Sequence, residues 1–117
     1  MIPELDRHHG VVLRQLLISH GRPVHLGVAD LSGRIDVFSL NQAAFQIKHS
    51  TKRLSPWQFT YAPENLAELI LLRRTRTPVW VFLVCGIDGV VGLSLDELLT
   101  IASPAVSTPS AVRVSRA

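Results

Sequence analysis

GRIDVFSLNQAAFQIKHSTKRLSPW, residues 33–57, reads as two short strands joined by a turn and followed by a basic, polar run. Residues 34–40 and 43–50 are the strands, and Asn41-Gln42 turns the chain between them. In the second strand Phe45-Gln46-Ile47-Lys48 alternates apolar and polar side chains. Gln46 and Lys48 are two apart, so both leave the same face of the strand. Asp36 lies on the preceding strand, where a short hairpin brings it beside that pair. Beyond Lys48 come His49, Ser50, Lys52 and Arg53, with no acid anywhere between Val37 and Pro63.

Upstream, residues 3–19 carry Leu5, His9, Val12, Leu13, Leu16 and Leu17 at the 3.6-residue period of a helix with one apolar face. Pro3 suits the first turn, Glu4 and Asp6 complement the positive end of the helix dipole, and Gly21 followed by Pro23 ends it. Gly10 costs about 1 kcal/mol inside a helix, which predicts close approach of another backbone. Residues 24–30 form the first strand and 31–33 a turn. Downstream, 51–62 reads as irregular, with Pro56, Trp57, Phe59 and Tyr61 in it. Pro63 opens a second helix that runs to about residue 74. Residues 79–85, VWVFLVC, are apolar on both faces, as in a central strand covered on both sides. A turn at 86–89 leads to a strand at 90–93. Ser94-Leu95-Asp96-Glu97 has the capping-box spacing and starts a third helix to about residue 102. Residues 103–110 are a Pro/Ser/Thr-rich loop, and 111–115 are either an edge strand or a disordered tail. The order α-β-β-β-α-β-β-α predicts one α/β domain over 1–102, a mixed central sheet flanked by helices, with 103–117 as its appendage.

The chain has 117 residues, 47% of them hydrophobic and 18% charged, which describes a globular domain able to bury its own core. A net charge of +3 permits contact with nucleic acid without requiring it. Cys85 is the single cysteine, so no internal disulfide and no cysteine metal cage can form. It ends an apolar strand and reads as a small buried hydrophobe. The longest apolar run, 79–85, is strand-sized and far short of a membrane span. The N-terminus lacks a signal-peptide core. A reducing, cytoplasmic setting with no membrane contact is the expectation.

Asp36, Gln46 and Lys48 together suit a divalent metal held next to a phosphodiester. A carboxylate binds Mg²⁺ or Mn²⁺ with a second oxygen ligand, waters and a substrate phosphate. The metal acidifies a bound water, and a lysine ammonium stabilises charge growing on phosphorus. The element order, with Asp36 in RIDVF and Gln46-Ile47-Lys48 in FQIKH, resembles the PD-(D/E)XK nuclease superfamily, the restriction-endonuclease-like fold, over about residues 4–95. The segment IKHSTKRLSPWQFT also resembles a small bacterial protein family. The nuclease resemblance implies a metal-dependent phosphodiesterase of nucleic acid, with Asp36 and Gln46 as metal ligands, Glu4 on the first helix as a further ligand, and Lys48 as charge stabiliser. Gln46 stands where the superfamily motif usually has an acid. Some members with Gln there are active; others with degraded motifs keep only a binding role.

Two readings therefore stand: a Mg- or Mn-dependent nuclease, and a non-catalytic module of the same fold that binds nucleic acid or a protein partner. Homodimerisation through an exposed edge strand is a third possibility. His49, Ser50, Lys52 and Arg53 line a phosphate backbone in the first two, or a solvated loop in neither. Asp36, Gln46 and Lys48 also suit the solvated face of a half-exposed hairpin. Trp57, Phe59 and Tyr61 are base-stacking groups or, in the preferred reading, Trp57 and Phe59 are core anchors that hold the loop to the sheet. His8, His9 and His20 lack zinc-ligand spacing, and His9 falls on the apolar helix face.

Overall fold

The structure, a computed structural model, describes residues 2–28 and 36–116. The turn expected at 31–33 and the start of the strand expected at 34–40 lie outside the described residues. Helix α1, Glu4–His20, begins after Pro3 and ends at Gly21, whose φ of 67° is the left-handed conformation glycine adopts without strain. Its inward side holds His9 and Val12, buried, with Leu5, Leu13 and Leu16 half-buried. Leu17 lies outside this stripe, 43% exposed. Gly10 is exposed and nothing approaches within 4 Å of where its Cβ would stand, so it marks no close backbone contact.

The strands β1 (Leu26–Val28), β2 (Val37–Leu40), β3 (Ala43–Ser50), β5 (Val79–Cys85) and β6 (Gly89–Ser94) form one sheet in the order β1-β2-β3-β5-β6. The β3–β5 pair is parallel and the others antiparallel. A parallel pair needs a crossover, which is supplied by β4 (Trp57–Tyr61) and α2 (Pro63–Leu72). Helix α3, Leu95–Leu99, is shorter than its sequence pattern predicts. Ser94 caps it as expected: its Oγ accepts the Glu97 N–H at 3.1 Å, and Glu97 Oε1 accepts the Ser94 N–H at 3.0 Å.

Strand β4 is the main departure from the sequence reading, which took 51–62 as irregular. It pairs antiparallel with β7, Ser110–Val114, in a separate two-stranded ribbon. The end of the chain is thus a strand, not a loose tail. Trp57, Phe59 and Tyr61 point inward and are buried, while Gln58 and Thr60 face solvent. Each buried ring contributes about 2 kcal/mol by leaving water. Together with Val37, Ala44, Val81 and Leu83 of the sheet and Leu66, Leu69 and Leu98 of α2 and α3, they build the larger core on one face. The smaller core on the opposite face packs Val12 of α1 against Phe45, Ile47 and Val84. The three layers are therefore α1, the five-stranded sheet, and the layer of α2, α3 and the β4–β7 ribbon. Among the described residues no helix is long and apolar enough to cross a membrane.

Candidate functional site

Strand β3 is covered on both sides, and this decides what its polar residues do. Phe45 and Ile47 face α1; Ala44 and Gln46 face the α2 and ribbon layer. Gln46 has no exposed surface at all. For Gln46, a solvated position on a half-exposed hairpin is excluded. An amide in such a place must find partners, because an unmet polar group in the interior costs about 1–3 kcal/mol. Gln46 Nε2 donates to Asp36 Oδ2 at 3.3 Å. Its Oε1 is buried and accepts no hydrogen bond among the described residues.

Asp36 sits at a bend immediately before β2 and is partly buried. Its carbonyl accepts the Ile47 N–H at 3.0 Å, continuing the β2–β3 ladder by one residue. That backbone contact holds the carboxylate against β3. Lys48 is half-buried one pleat beyond Gln46 on the same face. Its Nζ donates to the Thr60 carbonyl of β4 and lies 4.3 Å from the centre of the Tyr61 ring. Ammonium over an aromatic face is an attractive pairing. Asp36, Ile47, Lys48 and His49 line one surface depression of about 360 Å³, closed by Leu5 of α1 and by Gln58, Phe59 and Thr60 of β4. The tertiary fold thus brings the acid, the buried amide and the lysine to one end of β3.

Three histidines surround this end from the α1 side, a feature sequence reasoning missed as a group. His8 and His49 stack at 4.5 Å with their rings 16° from parallel. His9 meets Phe38 edge-on at 5.3 Å. Burial pushes the His9 imidazole below its ordinary 6.5, against the pull of the Asp36 charge. Burial, then the neighbouring His8, lowers His49 as well, against the pull of Glu4. The signal available in the sequence was the inward phase of His9 on α1 and the outward alternation of His49 from Lys48.

Glu4, the further ligand expected on the first helix, lines a different and larger depression of about 510 Å³ between α1 and the β5–β6 turn. Its Oε1 lies 3.5 Å from His8 Nε2. Among the described residues no three of His, Cys, Asp and Glu converge to hold a metal ion. The donors available for a hard cation are the Asp36 carboxylate and the Gln46 amide oxygen. They fit in kind, since Mg²⁺ is commonly held by one or two protein oxygens plus waters and phosphate. The orphaned Oε1 is the observation behind that fit. Turning the amide over exchanges its two ends with little change of shape and presents oxygen, not N–H, to a cation at Asp36.

Ser50 ends β3, and Lys52 and Arg53 belong to the loop that follows it. Ser50 Oγ accepts the Lys52 N–H at 3.3 Å, and Trp57 Nε1 donates to the Lys52 carbonyl at 2.8 Å. The loop packs so tightly over Gly86 that a Cβ there would run into the Lys52 carbonyl. Lys52 and Arg53 are exposed. The three aromatic residues downstream are buried anchors and not stacking surfaces. Cys85 is buried too, and burial raises its thiol above the ordinary value, as for an inert core cysteine.

No protein-family model and no curated protein matches the chain. Among solved structures it is similar to Hjc, a Holliday junction resolvase from the archaeal hyperthermophile Archaeoglobus fulgidus, with a TM-score of 0.50 over 87% of this chain and 91% of that chain, at 9% identity. At that identity the likeness establishes the fold alone. The shared shape is that of a single mixed α/β domain with helices on a mixed central sheet, as the element order predicts.

Proposed function

We propose that this chain is a divalent-metal-dependent phosphodiesterase domain acting on nucleic acid, with its reaction centre at the open end of β3. The observation that carries the reading is the 3.3 Å contact between Asp36 and the fully buried Gln46. A buried amide joined to a carboxylate, one pleat from a lysine and beside an open depression, is an arrangement the hydrophobic core gains nothing from. Asp36 and the Gln46 amide oxygen are the residues that would hold Mg²⁺ or Mn²⁺. When bound, such an ion acidifies a water and offsets the charge that develops on phosphorus. Lys48 places an ammonium at the rim, oriented by the Thr60 carbonyl and the Tyr61 ring, where it meets a phosphate oxygen. Gln58 and Thr60 form the far wall of the depression.

Asp36→Ala and Lys48→Ala are each expected to abolish metal-dependent cleavage of oligonucleotides while leaving a cooperative thermal transition. Wild-type cleavage by either variant removes this mechanism. A second reading, a non-catalytic binding module, is favoured by one feature: residue 46 is a neutral amide, a weaker ligand for a hard cation than a carboxylate. It predicts nucleic-acid binding in EDTA and no cleavage with any divalent ion.

A further inference from the structure

The acids of this chain are segregated. All nine lie outside residues 37–63 and 98–117, and those two segments carry Lys48, Lys52, Arg53, Arg113 and Arg116. The fold joins these segments. Strand β4 comes from the first and β7 from the second, and their register sets Gln58 opposite Arg113 and Thr60 opposite Ala111. Residues directly opposite on an antiparallel pair share a face. All four are exposed, so the outward face of the ribbon is polar, basic and free of acids. The ribbon is also tied to the basic loop: the Arg116 N–H donates to Ser55 Oγ at 2.8 Å, fixing the end of β7 beside the loop that holds Lys52 and Arg53.

The charges on the ribbon and on the segments beside it differ in availability. Arg116 is spent on Asp88, 2.7 Å away. Lys52 donates to a neutral carbonyl, that of Pro56, at 2.9 Å and keeps its charge uncompensated. Arg53 and Arg113 are exposed and form no ion pair among the described residues. Cations left uncompensated in this way draw polyanions, and the acid at this end of the ribbon, Asp88, is occupied by Arg116. Gln58 and Thr60 of the outward face are also walls of the depression that holds Asp36 and Lys48. The outward face of the ribbon therefore borders the candidate reaction centre.

We infer that the outward face of the β4–β7 ribbon, with Lys52, Arg53 and Arg113, is a track for the phosphate backbone of a nucleic-acid duplex. The inference rests on the proposed reaction centre for its direction but not for its chemistry. Five residues of β4 span about 17 Å, the axial rise of about five base pairs. The ribbon buries its other face in the hydrophobic core. Its aromatic residues, Trp57, Phe59 and Tyr61, all point inward, so unpaired bases find no stacking platform. Contact is with phosphates, and binding does not depend on base sequence.

The test is fluorescence-anisotropy titration of a labelled 20-base-pair DNA duplex, in EDTA to prevent cleavage, between 50 and 200 mM salt. The Arg53→Ala/Arg113→Ala double variant is compared with wild type and with Arg14→Ala, an exposed charge on α1 across the sheet. Each lost phosphate contact lowers the slope of log K against log[salt] by about 0.9. The double variant is expected to lose about 1.8 from the slope, so its affinity deficit shrinks about 12-fold between 50 and 200 mM salt. Arg14→Ala is expected to match wild type, and the separated single strand to bind more weakly than the duplex. A double variant with the wild-type slope, a single strand that binds more tightly than duplex, or no duplex binding at 50 mM salt overturns the track. Cleavage assays with Mg²⁺ or Mn²⁺ separate it from the catalytic reading. A changed slope without any cleavage keeps the track and removes the catalysis, and cleavage with an unchanged slope does the reverse.

Discussion

Replacing Gln46 by Glu would set a second carboxylate against the first. Gln46 is fully buried and its Nε2 is 3.3 Å from Asp36 Oδ2. Two ionised carboxylates at that separation repel by about 5 kcal/mol at an effective dielectric of about 20. Taking up a proton costs less. Holding an acid of ordinary pKa about 4.3 neutral at pH 7 costs about 3.7 kcal/mol, at 1.36 kcal/mol per unit. The protonated acid then donates to Asp36 as the amide did, so that hydrogen bond survives. Because the new acid has a raised pKa in the folded state, the folded variant binds the proton more tightly than the unfolded chain does. Its deficit therefore shrinks as pH falls, to about 1 kcal/mol at pH 5. At about 4 °C per kcal/mol for a domain of this size, Gln46→Glu is expected to melt about 15 °C below wild type at pH 7 and about 4 °C below at pH 5. The assay is thermal unfolding in EDTA at both pH values, with Gln46→Met as the variant that loses the hydrogen bond without adding charge. Millimolar Mn²⁺ at pH 7 is expected to restore much of the loss in Gln46→Glu, because a cation between the carboxylates replaces the proton. A deficit that is equal at pH 5 and pH 7 refutes the reasoning, since it means that residue 46 does not face Asp36.

Two further predictions concern stability. His9 and His49 titrate below 6.5 in the folded state, so as pH falls through 6.5 the unfolded chain takes the proton first. Stability is full above that value and is lost below it, by at most about 1.4 kcal/mol per pH unit for each histidine; melting curves from pH 8 to 5 measure the loss, and His9→Phe is expected to flatten part of the slope. Ser94→Ala removes the cap of α3, and with it the acceptor for the Glu97 N–H. It is expected to cost about 1 kcal/mol, read from chemical denaturation, with no effect on the Asp36 site.

Much of the core was legible in the sequence because its elements carry their own period. The 3.6-residue stripe of α1, the unbroken apolar run of β5 and the Ser94–Glu97 capping box are local patterns, and each became the element expected. Strand β4 was legible in principle. WQFTY alternates aromatic and polar residues at the strand period, with Trp57, Phe59 and Tyr61 inward. What hid it was its partner, β7, which lies at the far end of the chain and reads ambiguously by itself.

The residue types of the candidate site, an acid just before β2 and an amide and a lysine two apart on β3, were set by the sequence and the strand period. Their environment was not. Alternation along β3 separates Phe45 and Ile47 from Gln46 and Lys48, but says nothing of what covers either face. Two layers cover them, α1 on one side and the ribbon with α2 on the other. That packing buries Gln46, turns it to Asp36 and aims Lys48 at Thr60. Only long-range pairing could decide this, because β4 is held over that face by β7 from the far end of the chain, and no local pattern in β3 encodes the pair.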